Sequence, residues 1–202
     1  SNGPVGNLKT ESLKNIFDQN ISIPEFFRDA YLSGDTLSGA ARKYMNSLFG
    51  EYGLITMDPN SKKLKAIIKD IMVDDIINNT IEKIEKSSDN DSEVYVRKIN
   101  FFYQGIDFRN RIDKSDSYNI LSSEFSFSEK EIKDKIESSP DSFSPNVITR
   151  CLYQQSILPN ICYLGGPAEI IYWQSFKKFF DHYNISYPVL VPRDFVLLLN
   201  NK

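Results

Sequence analysis

Apolar residues return every three or four positions between Leu37 and Leu48: Leu37, Ala40, Ala41, Tyr44, Met45 and Leu48 share one side of a helix over 34–49. Asp35 and Thr36 precede it as capping residues, and Gly50 stands where a helix stops. The next apolar run, Tyr52 to Met57, is short and closes on Asp58-Pro59, which predicts a buried strand entering a turn. Leu64, Ile67, Ile68, Ile71, Met72, Ile77, Ile81 and Ile84 then hold a single stripe. Lys62, Lys63, Lys69, Asp70, Asp74 and Asp75 lie off it, so one long amphipathic helix is predicted.

From Ser87 to Ser92 the chain is polar and without period, the mark of a surface loop. Val94 to Tyr103 and Phe125 to Phe127 bring β-branched and aromatic residues, so strands and turns concentrate in the middle third, with a turn at Gly105 to Ile112. Ser128-Glu129-Lys130-Glu131 is a capping box opening a short helix that ends near Pro140. Ser144-Pro145 offers an N-cap and a proline at the first helical position, with the helix running to about Ile157. A strand at Asn160 to Leu164, a turn at Gly165-Gly166-Pro167, a helix from Ala168 that buries Ile170, Trp173, Phe176, Phe179 and Phe180, and a strand at Val189 to Val191 complete the pattern. Strand, tight turn, helix and strand form a βαβ unit, whose strands should lie parallel with a right-handed crossover.

Composition narrows the chemistry. The chain is 41% hydrophobic and 25% charged, within the globular range. Its 24 Lys and Arg against 27 Asp and Glu give a net charge of −3 with the signs interspersed, not the basic face of a nucleic-acid binder. No stretch reaches the roughly 20 apolar residues of a membrane span. Two cysteines, Cys151 and Cys162, form no Cys-x-x-Cys pair, so a cytoplasmic protein with reduced, buried thiols is expected. His182 is the single histidine, which leaves no metal cluster of histidines and no second base for hydrolase triads.

In a parallel sheet, ligands bind at the carboxyl ends of the strands. Here that place is held by Gly165 and Gly166 followed by a helix N-terminus, with Glu169 one turn on to meet an amine or hydroxyl. Arg193 follows the last strand, and Arg150, Tyr153 and Gln154 lie on the preceding helix; two arginines can fork a carboxylate. The plainer alternatives are a glycine turn kept for backbone geometry, an Arg150 that salt-bridges within the domain, and a Trp173 that simply packs.

Longer strings carry a resemblance. Leu48-Phe49-Gly50-Glu51-Tyr52-Gly53-Leu54, Asp58-Pro59, Phe143 to Arg150, Leu152-Tyr153-Gln154, Leu158-Pro159, Tyr163 to Ile170, Tyr172-Trp173 and Pro188 to Arg193 follow in an order that resembles BshC, the cysteine-adding enzymes of bacillithiol biosynthesis. The resemblance implies a bacterial cytosolic α/β protein: a partial Rossmann-like parallel sheet, given by the C-terminal βαβ, with a helical and strand-containing insertion. The chain looks like an internal fragment of such an enzyme. Residues 1–33 would be a polar segment joining the core, 34–142 the insertion and 143–202 the C-terminal half of the Rossmann-like core. Cys151 stands where proline is usual, and Asp194-Phe195 where a small hydroxyl residue is expected.

The same resemblance implies a ligase that forms the amide bond between L-cysteine and glucosaminyl-malate, with ATP as the activating cofactor although the chain carries no nucleotide motif. No metal is implied, nor a nucleic-acid or membrane partner. The full-length protein is expected to be a homodimer paired through a coiled coil absent here, and the fragment alone to be inactive and self-associating. Arg150, Tyr153, Gln154, Gly165, Gly166, Glu169, Trp173 and Arg193 are the candidate substrate-binding residues; no catalytic acid or base is singled out. The alternative is a non-catalytic module that binds an anion or a protein. Convergence of Arg150, Glu169 and Arg193 on one cleft separates the two readings.

Overall fold

Polar side chains that compete with the backbone hold the break in the helical stripe near Asp74. The computed structural model describes Thr10, Gln19, residues 22–33, 36–89 and 92–197, and Leu199. The cap expected at Asp35 and most of the 1–33 segment therefore lie outside the described residues. Two compact units divide the chain, 1–61 with 104–110 and 62–103 with 111–202.

In the first unit, helix α1 (Glu25–Leu32) precedes α2 (Leu37–Phe49). Thr36 caps α2 by accepting from the Gly39 amide at 3.2 Å. Phe27 stacks on Tyr31 at 4.5 Å and meets the edge of Tyr44 at 5.0 Å, so aromatic pairs seat the helices on each other around buried Ala40. Gly50 is itself helical. The chain turns at Gly53, whose φ of +81° is open to glycine at little cost. The buried strand predicted at Tyr52 to Met57 does not form: Tyr52 ends a 3₁₀ turn over Gly50–Tyr52 and Leu54 to Met57 are irregular, with Ile55 80% exposed. The short apolar run carries no information about a sheet partner, and no strand pairs with it among the described residues.

The second unit begins with the stripe expected as one long helix. It is helical but segmented: α3 (Lys62–Lys65), a 3₁₀ turn over Ala66–Ile68, α4 (Lys69–Val73), a π-helical turn over Asp74–Asn78 and α5 (Thr80–Lys86). Asp74 accepts from the side chains of Asn78 and Thr80, both at 2.8 Å, and Asn79 takes a left-handed φ of 54°. Those bonds hold the wide turn, while Ile68, Met72, Ile76 and Ile81 stay buried along it.

Strands β1 (Phe101–Gln104), β2 (Arg109–Lys114), β3 (Tyr118–Ile120), β4 (Ser126–Phe127) and β5 (Phe143–Pro145) form a sheet in the order β4-β3-β2-β1-β5. The pairings β1 with β5, β2 with β3, and β3 with β4 are antiparallel. The stretch before β1, from Val94 to Asn100, is not strand. Helix α6 (Glu129–Ser138) opens on the capping box of Ser128 and Glu131, as the spacing predicts.

The next helix, α7 (Val147–Ile157), starts two residues later than expected. Asn146, not Ser144, caps it by accepting from the Ile148 and Thr149 amides at 2.9 and 3.1 Å. Pro145 ends β5 at the edge of the sheet, where its missing N–H is tolerated. The remainder is the βαβ unit: β6 (Cys162–Gly165), α8 (Pro167–Ser175), α9 (Lys177–His182) and β7 (Val189–Pro192), with β6 and β7 parallel. Trp173, Phe176, Phe179 and Phe180 are buried as predicted. Cys162 is exposed, contrary to expectation, because among the described residues β6 and β7 pair only with each other and leave much of their surface open; Cys151 is buried.

Candidate functional site at the glycine loop

The carboxyl ends of β6 and β7 meet at one point. The Arg193 amide donates to the Gly165 carbonyl at 2.9 Å, continuing the parallel ladder by one bond, so Arg193 leaves the sheet beside the loop. A Cβ placed on Gly166 would lie 3.1 Å from Arg193 Nη2 and 3.4 Å from Glu169 Oε2, which shows how closely both groups crowd the backbone. Gly166 has a φ of −67°, so its lack of a side chain serves this approach rather than an unusual conformation. At Gly165 a Cβ would meet the Tyr163 ring at 2.8 Å.

Glu169 reaches back one turn of α8. Its Oε2 accepts from the Gly166 amide at 2.7 Å, and its Oε1 accepts from the Tyr163 hydroxyl at 3.2 Å. The Gly166 amide, the Tyr163 hydroxyl and the positive charges of Arg193 and Arg150 hold the Glu169 carboxyl below its usual range against the opposing effect of burial. Burial and the neighbouring Glu169 charge push the Tyr163 hydroxyl up to about 12, so it stays a neutral donor. Tyr163 stacks on buried Trp173 with centroids 4.4 Å apart, which fixes the ring.

Glu169 and Arg193 thus meet at the Gly165–Gly166 loop, and the Arg150 charge acts on Glu169 from the preceding helix without touching the loop among the described contacts. Arg150 and Arg193 are exposed and in no ion pair among the described residues, so their donors remain free for a ligand. Trp173 supports the site from behind Tyr163. Tyr153 is buried in the core, where the Lys65 ammonium lies 5.8 Å from its ring centroid and donates to the Phe143 carbonyl. The half-buried Gln154 side chain makes no hydrogen bond to the loop among the described residues.

Tyr163 itself escaped sequence reasoning as a site residue. Its position on β6, three residues before Gly166 and six before Glu169, was the available signal. The loop is no phosphate cradle: Pro167 has no amide and the Gly166 amide is taken by Glu169. Among the described residues no group of His, Cys, Asp or Glu could hold a metal ion, and no helix is long and apolar enough to cross a membrane.

The family description "Bacillithiol biosynthesis BshC, N-terminal Rossmann-like domain" matches residues 5–194. The chain belongs to the BshC family. The match takes in the region expected as an insertion as well as the βαβ unit, and the fold is α/β and Rossmann-like. A protein of Flavobacterium johnsoniae named "Putative cysteine ligase BshC" is 38% identical over 218 residues, covering 100% of this chain and 41% of that protein. A Cytophaga hutchinsonii protein of the same name is 38% identical over 202 residues, covering 96% of this chain and 38% of its own length. The BshC chain described here therefore spans about two fifths of the length of these curated relatives.

Proposed function

We propose that this BshC chain forms the amino-acid-binding wall of a ligase that joins the carboxylate of L-cysteine to the amine of glucosaminyl-malate, completing bacillithiol. The observation that supports the reading is the meeting of the Glu169 carboxylate and the Arg193 guanidinium at the glycine loop, with the Arg150 charge acting on the same carboxylate. A zwitterion needs one anionic and at least one cationic contact; a purely anionic ligand would be repelled by Glu169. In this proposal Glu169 meets the α-ammonium of cysteine, Arg193 and Arg150 hold carboxylate oxygens, and the thiol is carried without reacting.

Amide formation from a free carboxylate requires activation, which ATP would supply as the co-substrate. The glycine loop does not fit a triphosphate, so no step at this loop runs through it. Arginines beside the carboxylate would stabilise the negative charge that grows on oxygen as the amine attacks. Pairing of subunits through a coiled coil outside these 202 residues, and a cytoplasmic location, belong to the same proposal.

The test uses the full-length protein in its source bacterium, with labelled low-molecular-weight thiols and glucosaminyl-malate quantified together. Arg193→Gln and Glu169→Gln should lower bacillithiol and let glucosaminyl-malate accumulate, with the protein level unchanged. Normal thiol in both variants would leave the loop as scaffold and favour the binding-module reading.

A further inference from the structure

A second recess lies away from the glycine loop. It is a cleft of about 220 Å³ walled by the segment before β1, by β1 and β2, and by Asn146 at the cap of α7. Its inner side is apolar and buried, with Phe101 and Ile112. Its rim carries Arg97, Lys98 and Arg111 against the single acid Asp113. None of the three cations is in an ion pair among the described residues. In a chain of net charge −3, three cations gathered around one recess with Asp113 as the one acid on its rim carry excess positive charge, and their mutual repulsion is a cost that a bound anion removes.

The recess is also held in shape. The Arg97 amide donates to Asn100 Oδ1 at 3.2 Å, and Asn100 Nδ2 donates to the Arg97 carbonyl at 2.8 Å. Asn100 is anchored in turn by buried Asp75, which accepts from its amide at 2.6 Å and from its Nδ2 at 2.9 Å. The Arg97 guanidinium lies 5.2 Å over the ring of Tyr95, and Lys98 Nζ donates to the Lys114 carbonyl at 3.4 Å, so two of the three cations are already steered. Asn146 gives its oxygen to the α7 amides and one side-chain N–H to Asn100 at 2.9 Å, which leaves its second N–H for a ligand.

We propose that this cleft is a binding site for a small polyvalent anion, bearing phosphate or carboxylate groups, with Arg97, Lys98, Arg111 and Asn146 as its donors. The proposal does not depend on the glycine-loop reading. It is tested by calorimetric titration of the 202-residue chain with inorganic pyrophosphate and, separately, with malonate. At least one probe should saturate with one anion per chain, and the stronger probe tells a phosphate from a carboxylate ligand. Arg97→Gln with Arg111→Gln should weaken binding by about tenfold or more, and Lys98→Gln by less, since arginine pairs with both oxygens of such groups. All three side chains are exposed, so the variants keep the fold, which circular dichroism checks. Lack of saturation by both probes, or full affinity in the double variant, overturns the proposal. Loss of binding in Arg193→Gln instead would put the anion on the glycine loop and overturn it equally.

Discussion

Asp75 is fully buried, and its carboxyl is pushed up to about 7 from an ordinary 3.8. Burial is the largest cause; the two bonds from Asn100 pull it down, while the charges of Asp74 and Glu82 push it up again. Between those two pH values the folded chain holds a proton that the unfolded chain has released. Unfolding then sheds a proton, so stability falls as pH rises from about 4 to about 7 and levels off above that. The gap between 3.8 and about 7, at ~1.36 kcal/mol per pKa unit, sets a ceiling of about 4 kcal/mol on this loss. Asp75→Asn removes the titration but keeps the shape. It leaves one Asn100 donor facing an NH₂ group, at a fixed cost of about 1–3 kcal/mol. Urea unfolding followed by the fluorescence of Trp173, the single tryptophan and a buried one in the same unit, measures both chains from pH 5 to 8. The wild type should be well ahead of the variant at pH 5 and should lose much of that lead by pH 7.5. Parallel profiles would refute the reasoning, since they would mean that Asp75 titrates alike in both states.

Four further outcomes follow from the same contacts. Gly166→Ala should leave stability within about 0.5 kcal/mol but shift the Arg193 guanidinium and, under the proposed function, raise the KM for cysteine several-fold in the full-length protein, whereas Gly165→Ala, with its Cβ 2.8 Å from the Tyr163 ring, should cost about 1–3 kcal/mol in a denaturant melt. Glu169 has a lowered folded pKa, so its contribution is present above the ordinary value of 4.5 and is lost as pH falls through the folded one; Glu169→Gln should cost no more than about 1 kcal/mol at pH 7, being partly screened, and nothing in strong acid. A thiol reagent should modify exposed Cys162 at once and Cys151 only on unfolding, because burial pushes the Cys151 thiol up to about 12; two fast equivalents would contradict the packing of α7. Sedimentation at rising concentration should show the isolated chain self-associating, since β6 and β7 expose Leu164 at 64% and Val189 at 63%, and Val189→Lys should suppress it.

What the order of residues settles by itself is local. The Ser128 and Glu131 box, the aromatic face of the 167–182 helices and the strand–turn–helix–strand signal each arise from side chains a few positions apart, whose geometry the backbone period dictates. The parallel-sheet signal itself pointed to the glycine loop and its charged neighbours, and Arg193 meets the loop because parallel pairing of β6 and β7 sets Gly165 opposite Pro192. Partnership across long separations decides the rest. The 62–86 stripe breaks where Asp75 turns inward to Asn100, twenty-five positions on, and its sequence pattern is the same with or without that partner. The Leu54 to Met57 run stays irregular because among the described residues no strand pairs with it, and Asn146 displaces Ser144 as the cap because β5 uses Phe143 to Pro145 to pair with β1. Tyr153 goes to the core, against buried Lys65, for the same reason: a residue's neighbour in space, not its spacing in the chain, determines whether its ring faces a ligand or the interior.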